Sequence, residues 1–359
     1  MTRDPRSPHL QASELLDAAR AEILSDLADR VSVSPLPSGD SDGQKFLRQV
    51  AGYLLADLRR ALVWDKPALF TDCVGWAKAA LIQRGVPASA LALHLEHVTA
   101  VLRRGLPGDA GSQASEVVMA ALRAMPDMPD ELPAFLRPGA PISPLATLYF
   151  RALLRGDRQL ASRLVLQVVE LGTPVKEIYL HVFLPTLYEI GRLWQINQIS
   201  VAEEHYTTAA TQLIMSQLYS YIFSSKKIGR TVVVVCVSGE LHELGARMVA
   251  DFFEIDGWDS YYTGANTPIS DVVQAIVERR ASVLAISATI AHHVAEVKSL
   301  VNLVRTRPEC SGVKIIVGGF PFNHDPQLWR QVGADGSGPD AEAAVVMANV
   351  LVGDNLGGR

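Results

Sequence analysis

The apolar run Thr231–Val237, the loop Gly239-Glu240-Leu241-His242-Glu243-Leu244-Gly245 and the helical period of Ala246–Ile255 together constrain this chain more than any other stretch. A short, continuous apolar run bounded by glycine reads as a strand covered on both faces, as in a parallel sheet. The helix that follows makes a strand–loop–helix unit, with His242 at the carboxyl end of the strand. In open α/β sheets that edge is where ligands bind. The alternation continues, with strands expected at 231–237, 258–263, 283–287, 313–317 and 334–337 and helices between them. Five βα units predict a flavodoxin-like five-stranded parallel sheet over residues 229–352.

Upstream the pattern is helical. Helices are expected at 144–154, 158–171, 175–194 and 201–223, a four-helix bundle over 143–225. Asp157 reads as the cap of the second, and Thr173-Pro174 as N-cap and first position of the third. Pro126, Pro129, Pro133, Pro138, Pro141 and Pro144 forbid a continuous helix, so residues 125–142 read as a semi-extended linker. Before it lies an all-helical N-terminal module, residues 1–124. Phe46, Val50, Leu54, Leu58 and Leu62 form one apolar stripe, and Pro67–Ile82 reads as a helix turning Phe70, Val74 and Ala77 inward. Arg84-Gly85-Val86-Pro87 reads as a turn before a helix over Ala90–Leu102. On that helix His94 and His97 have the spacing of metal ligands but no third partner, and read as a solvated face.

The 359 residues suffice for two or three domains, and 48% hydrophobic with 20% charged residues is a globular composition. The net charge is −5, and basic residues cluster only in pairs such as Arg59-Arg60 and Lys226-Lys227. That excludes a basic footprint for direct DNA binding or for an anionic membrane. Three scattered cysteines, Cys73, Cys236 and Cys310, form no zinc pattern and suit a reducing cytoplasm. The N-terminus lacks the apolar core of a signal peptide, so a cytoplasmic location is expected.

Two further strand ends fall at the same sheet edge as His242. Ser287-Ala288-Thr289 follows about 45 residues later, and Gly318-Gly319 about 30 after that. Glu240-x-His242-x-x-Gly245, Ser287-x-Thr289 and Gly318-Gly319 resemble the three loops of cobalamin-binding domains, with Glu240 in place of the usual aspartate. A helical bundle followed by such a domain is also similar to corrinoid-binding modules. The resemblance implies a cobalt corrinoid whose metal is ligated by His242. Glu240 would hydrogen-bond the other ring nitrogen, and small residues at the strand ends would leave room for the nucleotide tail.

A second resemblance concerns the opposite face of the ring. Trp194 is followed after nine residues by Glu204-His205. This is similar to the Trp-x9-Glu-His signature of cobalamin-dependent photoreceptors related to light-responsive MerR-type repressors. There the tryptophan and the Glu-His pair surround the upper axial adenosyl group. Members that trap photolysed cobalamin carry a histidine after the tryptophan; this chain has Gln195, which leaves His205 as a substitute. Without a DNA-reading head, the organisation resembles the photocobilins, which add a linear tetrapyrrole such as biliverdin. Tyr149, Tyr179, Tyr188, His181, His292 and His293 are the groups available for a bilin, and His292-His293 could equally cap the helix after them.

Three functions follow from the resemblance. The first is a non-enzymatic light sensor with adenosylcobalamin between bundle and sheet, acting through a homo-oligomer or a protein partner. The second is a corrinoid methyl carrier of a methyltransferase system. The third is a light-independent regulator answering to cobalamin occupancy.

Overall fold

Strands β1 (Thr231–Cys236), β2 (Asp259–Tyr262), β3 (Val283–Ser287), β4 (Lys314–Gly318) and β5 (Gly336–Ser337) form one sheet in the order β2-β1-β3-β4-β5, every pair parallel. The computed structural model describes residues 8–18, 20, 21, 25, 41–106, 109–223, 225–290 and 293–353. Val232–Val235 of β1 and Val283–Ile286 of β3 are buried, as strands with helices on both faces must be. Register aligns Cys236 with Ser287 and Ser287 with Gly318, so the three small-residue loops leave the sheet at one edge. The five-stranded flavodoxin-like sheet expected from the alternation is present, with each strand within two residues of its expected bounds.

By compactness the chain divides into two units. The first comprises Met1–Ala134 with Ile190–Val201. Helices Ser41–Val63, Pro67–Ile82, Ala88–Gly105 and Asp109–Ala124 bury Val50, Leu54, Leu58 and Leu62 against Phe70, Val74, Leu91, Leu95 and Leu102. Phe46, the first residue of the expected stripe, is only half-buried and carries the Arg84 guanidinium 3.7 Å over its ring. The start of the proline-rich stretch is held by Lys78, a buried cation. Its ammonium donates to the carbonyls of Met125 (3.1 Å) and Met128 (2.6 Å) and pairs with Asp130 at 2.8 Å. His94 corrects the expectation of a solvated face. It is 2% exposed, because it lies on the same helical stripe as Leu91, Leu95 and Val98. Burial, with His97 adding repulsion, pushes its imidazole down to about 4.

The second unit comprises Phe135–Glu189 and Ala202–Arg359. Helical residues Tyr149, Val165, Tyr179, Phe183 and Met215 share one core with Phe252, Phe253 and Trp258 of the sheet region. The division into consecutive bundle and sheet therefore differs from the compact units. The bundle helices before 190 and after 201 share their core with the sheet region, where Tyr179 packs against Phe252 with ring centroids 6.2 Å apart. Asp157 caps helix Arg158–Glu170 by accepting from the Leu160 amide at 2.8 Å. The next helix starts at Val175 with Pro174 itself in the capping position, not Thr173. Pro174 takes an extended ψ of 142°, which ends its own helical continuation backwards. That helix runs into a π turn, Tyr179–Phe183, before Leu184–Gln195. Among the described residues no helix is long and apolar enough to cross a membrane.

Candidate functional site: a strand-end histidine on a buried glutamate

β1 ends at Cys236 and the chain turns through Gly239 (φ 82°) before the helix Leu244–Ile255. The positive φ at Gly239 turns the loop over the sheet edge, so Glu240 points inward while Leu241 and His242 point outward. Asn266, on the loop after β2, braces this turn. Its side-chain oxygen accepts from the Gly239 amide at 2.8 Å, and its own backbone amide donates to the Glu240 carbonyl at 3.1 Å.

Glu240 is 0% exposed. Oε1 accepts from the His242 amide (2.9 Å) and lies 2.6 Å from His242 Nδ1. Oε2 accepts from the amides of Thr289 (2.7 Å) and Ile290 (3.3 Å) and lies 2.9 Å from His293 Nδ1. Burial pushes this carboxyl upward, but the bonds from His242, Thr289 and His293 outweigh it and hold the group at about 2. An ionised carboxylate only accepts, so both imidazoles carry their protons on Nδ1. His242 thereby presents Nε2 as a lone-pair donor, the arrangement that orients a metal-ligating histidine and raises its basicity. The imidazole is raised, first by its bond to Glu240, and the charges of Glu240 and Glu204 add to this.

The surroundings fit a corrinoid. The His242 side chain is 58% exposed, whereas His293 is buried, so of the two only His242 can meet a ligand. Among the described residues no group of three or more His, Cys, Asp or Glu side chains could hold a metal ion. A single imidazole suits a metal that brings its other ligands with it, and cobalt accepts nitrogen donors. Leu241 (72% exposed), Phe320 (66%) and Ile290 (43%) give the same edge an open apolar rim. Gly319, at φ 105°, lets the β4 loop pass so close to Ala288 that a Cβ there would fall inside that residue's carbonyl. Gly318 has only Gly338 beside it, at 3.0 Å from an added Cβ, and Gly245 opens on empty space. Gly245 is the second residue of helix Leu244–Ile255 rather than part of the loop.

Ser287, Thr289, Gly318 and Gly319 thus reach the His242 edge together with Glu240 and Gly245. Thr289 contributes its amide, to Glu240. Of the expected upper-face residues, Glu204 and His205 lie on helix Val201–Gln217 in the same unit. Glu204 holds His205 Nδ1 at 2.5 Å and accepts from Thr208 Oγ1 at 3.0 Å. Trp194, in the first unit, is 45% exposed at the end of helix Leu184–Gln195 and is no buried helix anchor. Gln195 is the last residue of that helix, and its carbonyl accepts from the Arg84 guanidinium at 3.1 Å.

The residues available for a bilin are not brought together. Tyr149 and Tyr179 are core residues whose hydroxyls are committed to Thr211 (2.9 Å) and Asp251 (2.7 Å). Tyr188 packs on Phe135, His181 pairs with Glu177, and His292 lies outside the described residues. His293 occupies the N-cap position of helix Val294–Thr306 with helical backbone and no capping bond; its ring goes to Glu240 instead. Sequence reasoning missed this contact, Asn266, and Glu243, which accepts from Gln212 (2.9 Å) and Tyr262 (3.1 Å). The Gly264-Ala265-Asn266 turn after β2, at the same crevice, was a usable signal for Asn266.

Residues 230–346 match the model of a B12 binding domain, and residues 145–219 match a second B12 binding domain model. Dimethylamine corrinoid protein 3 of Methanosarcina acetivorans is 28% identical over 167 residues, 46% of this chain and 75% of the relative. A corrinoid protein of Desulfitobacterium hafniense is 21% identical over 208 residues, 56% of this chain and 95% of the relative. The structure of the Methanosarcina barkeri monomethylamine corrinoid protein superposes with a TM-score of 0.51 at 20% identity, covering 56% of this chain and 96% of that one. The last likeness shows the fold. Together the matches support a cobalamin-binding protein with a cobalt corrinoid cofactor.

Proposed function

We propose that this chain is a corrinoid carrier, with His242 as the lower cobalt ligand and the opposite face of the ring presented for transfer of a methyl group. The observation that carries it is the buried Glu240, which fixes His242 with Nε2 free at an open, apolar strand edge. The dimethylamine corrinoid proteins among its relatives support the carrier role over the others. A bound corrinoid would supply a cobalt centre that takes up and gives away a methyl group. The chain's own residues do the rest: His242 tunes the metal, Glu240 holds the tautomer, and Ser287, Thr289, Gly318 and Gly319 admit the nucleotide tail.

A second reading, a light sensor built on adenosylcobalamin, is favoured by one observation. Glu204 and His205 lie on helix Val201–Gln217 in the same unit as His242, and the Glu204 charge is among the causes that raise the His242 imidazole. One experiment separates the readings. Protein is reconstituted in the dark with methylcobalamin and with adenosylcobalamin, and affinities and spectra are measured for the unchanged chain, His242→Ala and Trp194→Ala. Both readings require that His242→Ala abolish the histidine-ligated spectrum while the fold persists. The carrier binds methylcobalamin at least as well as the adenosyl form, and Trp194→Ala leaves that ratio alone. A strong adenosyl preference, lost in Trp194→Ala, would replace the carrier with the sensor.

A further inference from the structure

Glutamate has one more side-chain torsion than aspartate, so a glutamate that orients a metal ligand must itself be oriented. Glu240 is pinned at both oxygens. Oε1 serves His242, and Oε2 is held by the Thr289 and Ile290 amides and by His293 Nδ1 at 2.9 Å. His293 does more than add a bond. It is 7% exposed, and its ring packs beneath Gly239, where a Cβ would lie 3.4 Å from His293 Nε2. The ring therefore touches both residues that set the direction of the loop. Its backbone is tied in turn by its amide donating to the Ile290 carbonyl at 2.9 Å. One buried imidazole thus connects the loop after β3 to the loop after β1, and its position in the chain is 51 residues from the histidine it serves.

From this geometry we propose that His293 is a positioning residue for cobalt ligation by His242: by holding Glu240 Oε2 and seating Gly239, it keeps Oε1 on His242 Nδ1. It does not touch the ligand. The inference rests on the reading of His242 as the lower ligand. Residues that orient a metal-ligating histidine through a carboxylate change metal affinity by about 10- to 100-fold when removed. His293→Ala should therefore weaken methylcobalamin binding by about 10-fold and reduce the histidine-ligated fraction of the spectrum. His293→Asn places an amide nitrogen where Nδ1 stands and should recover most of both.

The test uses the full chain and four variants: His293→Ala, His293→Asn, His242→Ala, and His242→Ala with His293→Ala. Each is titrated with methylcobalamin, the absorption spectrum of the bound corrinoid is recorded, and far-UV circular dichroism of the cobalt-free protein reports the fold. Support requires an effect of His293→Ala that disappears when His242 is already absent, together with rescue by His293→Asn. An equal loss in the His242→Ala background makes His293 merely structural and overturns the proposal. So does unchanged or tighter ligation in His293→Ala. If that variant fails to fold, His293→Phe, which keeps a ring beneath Gly239 but gives Glu240 Oε2 no donor, takes its place in both backgrounds, with the same supporting and overturning outcomes. A His242→Ala protein whose corrinoid spectrum matches that of the unchanged chain defeats the ligand assignment itself, a different failure.

Discussion

Glu240→Gln is the substitution that examines this site most directly. An amide replaces the buried carboxylate with one acceptor and one donor, so one side of the group must face donors with an NH2. If the amide oxygen stays toward His242, the Thr289 and Ile290 amides lose their acceptor; reversed, the His242 amide and ring do. Buried donors left without a partner cost about 1–3 kcal/mol each. The acid–base linkage gives a comparable figure. Glu240 is held at about 2 against an ordinary 4.5, and at about 1.4 kcal/mol per pH unit this is about 3 kcal/mol. A lowered carboxyl contributes stability that is complete above pH 4.5 and is lost as pH falls toward 2. The cobalt-free chain and Glu240→Gln should therefore differ by about 3 kcal/mol at neutral pH and converge in acid. Urea unfolding read by hydrogen exchange in the peptide 283–290 would follow the second unit alone. A gap below about 1 kcal/mol at neutral pH, or one that does not narrow with acid, refutes the account.

Other outcomes follow from the same reasoning. Asp251, buried beside Tyr179, is raised to about 6 from 3.8, chiefly by burial. A raised carboxyl gives stability that is present below pH 3.8 and lost as pH rises through 6, so Asp251→Asn should stabilise at pH 8 by about 3 kcal/mol. The gain in melting temperature should vanish below about pH 4; a gain independent of pH sinks the argument. Gly319→Ala should destabilise by several kcal/mol, because its Cβ meets the Ala288 backbone at φ 105°. Gly245→Ala, on a helix with nothing near it, should leave thermal stability equal or slightly higher while weakening corrinoid binding. Melting curves with and without methylcobalamin check both, and equal destabilisation by the two would contradict the placement of these glycines.

How much of this is readable in the chain depends on how local each signal is. β1 and β3 are short apolar runs between turn residues, and their period is local, so the sheet is legible in the amino-acid sequence itself. The His242, Ser287 and Gly318 loops are legible for the same reason: each is the end of a strand, and parallel pairing brings strand ends to one edge. His94 is not. A histidine among Leu91, Leu95 and Val98 is polar by type but occupies the buried stripe of its helix, and only the packing of neighbouring helices decides that such a stripe closes over it.

The same limit explains the least legible part of the site. Glu240 and His242 are two residues apart, and their contact could be expected from the loop alone. The contact of Glu240 with His293 crosses 53 residues and depends on the loops after β1 and β3 being neighbours, with Cys236 level with Ser287. Once that register is known, the helix after β3 must begin beside Glu240, and a side chain at position 293 reaches it. The longer glutamate then ceases to be a mere departure from aspartate. Its extra carbon places Oε2 deep enough to collect two amides and an imidazole while Oε1 still reaches His242. Glu240 and His293 are therefore best understood as one unit. In a methylcobalamin titration, a Glu240→Asp chain should ligate cobalt worse than the present one even though it restores the usual residue, because the shorter side chain cannot serve both histidines.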